Sequence, residues 1–202
     1  MKLKVLVADK FPEKYIQQMK DLDLEVIYNP KLGEKDLPEA ALDVDIIVVR
    51  STVVNEETIN KGKKLNLIIR AGSGVNNINI AAANKKGIYV TNCPGMNAVA
   101  VAELAVGLMI ALDRFIPDNV SDFNKGVWNK DKYSKGKGLK GKTLGLIGVG
   151  NIGKEVAKRA HAFEMNVYGK DITRIEGVQI KDFSEMDQLL PLCDVVSIHL
   201  PA

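Results

Sequence analysis

Gly148, Gly150 and Gly153 form a G-x-G-x-x-G set that closes an apolar run at residues 142–147 and opens a helical pattern at 154–163. A strand, a glycine turn and a helix in that order make a cradle for phosphates. Each glycine meets a separate steric demand. Gly148 lets the strand turn tightly, Gly150 removes a side chain where a pyrophosphate must approach backbone N–H groups, and Gly153 lets the helix close on the strand. Asn151 and Ile152 stand at the head of that helix, where unpaired N–H donors and the positive end of the dipole face an anion. Roughly twenty residues on, where an acid should meet the adenosine ribose, Asp171 follows a second apolar run at 165–169. A carboxylate there accepts hydrogen bonds from ribose hydroxyls and repels a 2′-phosphate, so NAD is expected in preference to NADP. An incidental glycine turn would not bring strand, helix and acid into this agreement.

The remaining reactive side chains are few. Cys93 and Cys193 lie far apart and have no His or Cys partners at metal-ligand spacing, so no metal site is expected. Cys93 lacks a neighbouring base and is expected to be a small buried thiol. Two cysteines without a framework suit a reducing cytoplasm. With 46% hydrophobic and 26% charged residues the chain is ordinary globular material, and 202 residues suffice for one large or two small cores. A net charge of +3 from scattered lysines reads as solvated faces and argues against a nucleic-acid surface. The densest basic stretch, 130–142, reads as a linker. The N-terminus opens directly on a strand with no cleavage signal, so no signal peptide is expected. The longest apolar stretch, 99–112, contains Glu103 and is shorter than the ~18–20 residues of a membrane span.

These groups need a scaffold, and the first 95 residues supply half of one. Continuous apolar runs at 3–8, 25–28, 46–49, 67–69 and 88–90 predict strands buried on both faces of a parallel sheet. Helical patterns at 13–19, 55–62 and 80–86 lie between them. This predicts a flavodoxin-like α/β domain over 1–95, expected to bind substrate. Asn97 then precedes a long amphipathic helix at 98–111, whose free N–H groups a polar side chain can cap. That helix leads into a second domain, 96–202, expected to be a Rossmann-type parallel-sheet domain that binds NAD. Its strands are expected at 142–147, 165–169 and 194–198, half of a six-stranded dinucleotide fold, so the domain is expected to be incomplete. A sheet cut there leaves an edge uncovered.

Spaced motifs in one order carry a resemblance across essentially the whole chain. They are VRST at 49–52, RAGSGV at 70–75 with the NNI after it, NCPGMN at 92–97 leading to VAE at 101–103, and GVW at 126–128. LKGKTLG at 139–145, the glycine fingerprint and VVSIHLP at 195–201 complete the set. On these the sequence resembles the D-isomer-specific 2-hydroxyacid dehydrogenases. The resemblance implies that Ser73 and Gly74 hold a substrate carboxylate through backbone N–H groups, and that Asn97 lies near the substrate, with a helix cap as the competing role. Arg50 and Ser51 match a segment that lies by the phosphate end of the substrate in members acting on a phosphorylated acid, and an Arg fork suits a phosphate oxygen pair. An ordinary surface salt bridge is the alternative for Arg50. His199, Leu200 and Pro201 match the stretch lining the cofactor cleft, with His199 in a supporting position. His161, on the helix after the glycine turn, is expected to be partly exposed. Lys170 departs from the pattern, standing where an aromatic residue often precedes the acid.

Hydride transfer to or from a 2-hydroxy carbon needs a proton-exchanging group, a carboxylate to tune it and a cation to polarise the carbonyl. In the family these are His, Glu and Arg, and their positions fall beyond Ala202. No catalytic residue is therefore assigned within the 202, and the chain alone is expected not to turn over. The small-molecule partner implied is a 2-hydroxy acid. The helix after Asn97 and the arm around Trp128 resemble the family's dimer contacts and imply a homodimer. A non-catalytic NAD-binding regulator of corepressor type, or a dehydrogenase for another 2-hydroxy acid such as glyoxylate or hydroxypyruvate, are the competing readings.

Overall fold

A computed structural model describes residues 2–183 and 185–200. The chain divides into two compact units, Met1–Met96 and Asn97–Ala202, one residue later than the sequence boundary.

In the first unit five parallel strands, β1 (Lys4–Val7), β2 (Glu25–Tyr28), β3 (Ile46–Val49), β4 (Leu67–Arg70) and β5 (Tyr89–Thr91), lie in the order β2-β1-β3-β4-β5. That is the flavodoxin-like order, in which ligand groups gather at the carboxyl edge of the strands. Period-two alternation explains why the inner strands are apolar on both faces: Leu6, Ile47, Val49 and Ile68 enter one core, while Val5, Val7 and Val48 enter another with Ile16. Helices α1 (Glu13–Asp21), α2 (Leu37–Ala40), α3 (Glu56–Lys61) and α4 (Ile80–Lys85) make the crossovers. Asn55 and Asn79 cap α3 and α4, accepting from the N–H groups of Thr58 and Ala82.

The second unit opens with α5 (Ala98–Asp113), α6 (Ile116–Asn124) and α7 (Lys130–Tyr133). Helix α5 is not amphipathic as expected. Ala98, Ala102, Val106 and Met109 are buried, yet Val99, Leu104, Leu108 and Leu112 stand exposed on the remaining surface, so it is apolar around most of its circumference. The basic stretch 130–142 is likewise more than a linker, because Tyr133 is buried and donates to Asp122, and Lys142 pairs with Asp113 at 3.2 Å. Then follow β6 (Thr143–Ile147), α8 (Asn151–Ala162), β7 (Asn166–Lys170), β8 (Lys181–Asp182), α9 (Met186–Leu189) and β9 (Val195–Ile198). The parallel order is β8-β7-β6-β9. This corrects the expectation of three strands. Lys181 and Asp182 pair with Tyr168 and Gly169 as a fourth strand, making β9 the fourth strand of the Rossmann order 3-2-1-4 and placing the reversal of strand order between β6 and β9. Two exposed charged residues carry no apolar periodicity by which to find them. Helix α5 packs on α8, with Arg159 bridging to Glu103 at 3.0 Å. Among the described residues no helix is long and apolar enough to cross a membrane.

Candidate cofactor and substrate sites

The glycine turn joins β6 to α8 at the switch point. Gly148 has φ of +88°, a conformation that disfavours any side chain, and a Cβ there would sit 2.6 Å from the carbonyl oxygen of His199. A Cβ on Gly153 would collide with the carbonyl oxygen of Gly148. Both are therefore required by the protein's own packing. Gly150 is different: its φ is an ordinary −70°, and a Cβ would meet nothing within 4 Å. Neither backbone nor packing demands glycine here, while the space its side chain would fill lies at the head of a twelve-residue helix that no side chain caps. Asn151, exposed, and Ile152, half-buried, open that helix with Gly153, and their N–H groups precede the first intrahelical bond, Lys154 N–H to Gly150 O at 3.0 Å.

Asp171 follows β7 and is tied to the same turn. Its Oδ2 accepts from the Val149 N–H at 2.5 Å, and its Oδ1 accepts from the Thr173 N–H at 3.0 Å and hydroxyl at 3.1 Å. These amides, Thr173 first and then Val149, outweigh partial burial and hold the carboxyl below the usual aspartate range, so it is ionised at neutral pH. Sequence reasoning found Asp171 but not Thr173. On the far side of the turn His199 donates its N–H to Ile147 O at 2.7 Å, and its Nε2 lies 2.9 Å from the Ser197 hydroxyl. Burial pushes the His199 imidazole below its ordinary range. Leu200 is about half exposed, with a methyl against the position a Gly148 side chain would take. Pro201 lies outside the described residues. His161 is exposed and bonds Gln179 O at 2.6 Å, away from the turn.

In the first unit, the loops after β3 and β4 bring Arg50, Ser51, Ser73 and Gly74 together at the carboxyl edge. Arg70, which the sequence did not mark, ties the loops: its Nε donates to Arg50 O at 3.1 Å and its terminal nitrogen to Gly74 O at 3.0 Å. Gly72 exists for this guanidinium, since a Cβ there would lie 2.7 Å from it. Ser73 accepts from the Asn92 amide through its carbonyl and from the Gly95 N–H through its hydroxyl. Its own N–H and that of Gly74 have no acceptor among the described residues. Val54 and Asn77 stitch the loops further, with Val54 N–H to Asn77 O at 2.8 Å and Asn77 Nδ2 to Thr52 O at 2.8 Å. The second unmarked residue is Asp9, which accepts from the N–H groups of Arg50, Ser51 and Thr52 and from both hydroxyls of the loop. Its signal was present: an acid immediately after β1 lies at the edge where ligand groups gather. Asn97 occupies the N-cap position of α5 as expected, but its side chain makes no capping bond. Cys93 is exposed, a correction to the buried thiol, because it follows the edge strand β5 and only its N–H is drawn inward, to Gly72 O. Among the described residues no group of acidic, His or Cys side chains could hold a metal ion.

The model of the D-isomer specific 2-hydroxyacid dehydrogenase catalytic domain matches residues 5–189. D-3-phosphoglycerate dehydrogenase of Methanocaldococcus jannaschii is 40% identical over 98% of this chain and 38% of its own length. Hydroxypyruvate reductase of Thermotoga maritima is 41% identical over 98% of this chain and 65% of its own. Among solved structures, NAD+-bound 3-phosphoglycerate dehydrogenase of Entamoeba histolytica superposes with a TM-score of 0.80 at 32% identity, covering all of this chain and 64% of that one. The chain thus spans from 38% to 65% of the length of these relatives. A match this long, on a chain whose glycine turn and carboxyl-edge loops are built as described, shows that it belongs to the D-isomer-specific 2-hydroxyacid dehydrogenase family.

Proposed function

We propose that the second unit binds NAD and that the first binds a 2-hydroxy acid, the two together serving a dehydrogenase. The observation that carries the reading is Gly150, a glycine that nothing in the protein requires, at an uncapped helix head beside an ionised Asp171. The N–H groups at the head of α8 would hold the diphosphate, Asp171 the adenosine ribose, and Leu200 and Pro201 the apolar part of the cofactor, with His199 supporting them. When bound, NAD supplies the hydride acceptor. The N–H groups of Ser73 and Gly74, without an acceptor among the described residues, would hold the substrate carboxylate. Arg50 would meet the substrate's far end with Ser51 beside it. A cation there suits a phosphate, so 3-phospho-D-glycerate, oxidised to 3-phosphohydroxypyruvate for serine synthesis, is the substrate proposed. Turnover also needs a proton-exchanging group, a carboxylate to tune it and a cation to polarise the carbonyl.

A second reading, reduction of hydroxypyruvate, is favoured by the similarity to the Thermotoga reductase. It makes no use of a phosphate partner at Arg50. The exposed apolar face of α5, continued by Phe123 and Trp128, supports a homodimer. Cys93 and Cys193, both free, suit a cytoplasmic protein. The deciding experiment is an assay of the full-length protein in one direction, reduction with NADH, on 3-phosphohydroxypyruvate and on hydroxypyruvate. A kcat/KM at least about 100-fold higher for the phosphorylated acid is expected from a bidentate charge pair. The reverse order would transfer the assignment to the reductase.

A further inference from the structure

The segment that carries Arg50 has the geometry of an anion site, and the chain fills it itself. Three successive backbone N–H groups converge on Asp9 Oδ2, from Arg50 at 2.6 Å, Ser51 at 3.1 Å and Thr52 at 3.1 Å. The Ser51 and Thr52 hydroxyls reach Oδ1 at 3.0 and 3.2 Å. Converging main-chain donors of this kind form a concave nest for an anion, and here the anion is a carboxylate placed by β1, whose end is registered to β3 by Ala8 N–H to Val48 O at 3.0 Å. Burial alone would raise the Asp9 carboxyl, but the amides of Arg50, Thr52 and Ser51 outweigh it and keep it ionised. The Arg50 guanidinium takes no part in the nest, and its one bond among the described residues is a long one, to Lys10 O at 3.4 Å. Arg70 holds the Arg50 carbonyl from the other side.

We infer that Asp9 is a positioning and specificity-determining residue, an internal anion that occupies the main-chain nest of residues 50–52 so that a substrate phosphate is directed to the Arg50 guanidinium. This rests on the reading that Arg50 faces a phosphorylated substrate. A phosphate entering the nest would have to expel a carboxylate held by five hydrogen bonds and would meet its charge on approach. With Asp9 in place, the loop's donors are spent and only the side-chain fork of Arg50 is left to recognise the anion.

The test uses the full-length protein with NAD+ and 3-phosphoglycerate. Asp9→Asn removes the charge while keeping the shape, and is expected to raise KM about 10–100-fold, the usual effect of losing charged hydrogen bonds, with kcat within about 3-fold and NADH affinity unchanged, as for an interaction confined to binding. In Asp9→Ala, added formate, a carboxylate small enough for the nest, is expected to bring KM back toward wild type. An unchanged KM in Asp9→Asn, a parallel loss of kcat and NADH affinity, or no effect of formate would each overturn the inference. Should the variants not fold, a crystal structure of the wild type with 3-phosphoglycerate decides. Phosphate on the Arg50 guanidinium with Asp9 still in the nest supports the inference, and phosphate on the three amides overturns it. A wild type inactive on 3-phosphoglycerate overturns the proposed function and this inference with it. An active wild type whose Asp9→Asn variant is unaltered overturns this inference alone.

Discussion

At the scale of single residues, the three glycines of the turn are alike in sequence and unlike in physical necessity. Gly153→Ala drives a methyl into the Gly148 carbonyl and is expected to cost about 1–3 kcal/mol as overpacking, roughly 5 °C of thermal midpoint. Gly150→Ala meets no protein atom within 4 Å, so its midpoint is expected to stay within about 2 °C while NADH binding weakens at least about 10-fold as charge-assisted bonds are lost. Calorimetry beside cofactor titration separates the two. Asp171→Asn is expected to weaken NADH and narrow the preference over NADPH, measured as the ratio of the two dissociation constants; an unchanged ratio would remove Asp171 from the ribose. The fingerprint was legible because its glycines lie within a few residues of one another, and Asp171 because it closes the second apolar run at the expected distance from them. Asp9 and Arg70 were not marked, because each acts on backbone groups of another segment, 41 and 20 residues away, so that the place of Asp9 just after β1 was its one cue; Thr173 was not, because it works through the Asp171 carboxylate two residues before it.

At the scale of elements, the inner strands β1, β3 and β4 were readable because burial on both faces makes their central residues apolar in succession. Strand β8 escaped because two charged residues have no pattern, and α5 was misjudged because its exposed side is as apolar as its buried one. Packing of β6 on the segment before β9 has its own test. A Cβ on Gly145 would overlap the Cys193 sulfur, so Gly145→Ala is expected to lose about 1–3 kcal/mol alone and clearly less in a Cys193→Ala background, a coupling that a double-mutant cycle by denaturant unfolding measures. Additive effects would mean that the two do not touch. The end of β9 gives a pH dependence. Burial lowers the folded pKa of His199 below its ordinary 6.5, so the unfolded chain binds more protons in mildly acidic solution. Its stabilising contribution is complete above the unfolded value and is lost as pH falls through 6.5 toward the lowered folded pKa. The thermal midpoint should therefore drop between about pH 7.5 and 5.5, and the slope should shrink in His199→Gln.

At the scale of the whole molecule, the second unit exposes Leu104, Leu108, Leu112, Phe123 and Trp128 at 55–78% of their surface. An exposed apolar surface of that extent is what an association surface looks like, and it is the observation behind the homodimer proposed above. Leu108→Glu combined with Leu112→Glu is expected to convert a dimer to a monomer in sedimentation equilibrium without changing the far-ultraviolet spectrum. A monomeric wild type would refute the assignment. The central claim is simpler: main-chain donors at the head of α8, with Asp171, hold NAD. It is tested most directly by titrating the wild type and Gly150→Val with NADH, following cofactor fluorescence. One saturable site per chain in the wild type, and its loss in a variant that still folds, is the result expected. Equal affinity in the two proteins, or no saturable site in the wild type, would contradict it.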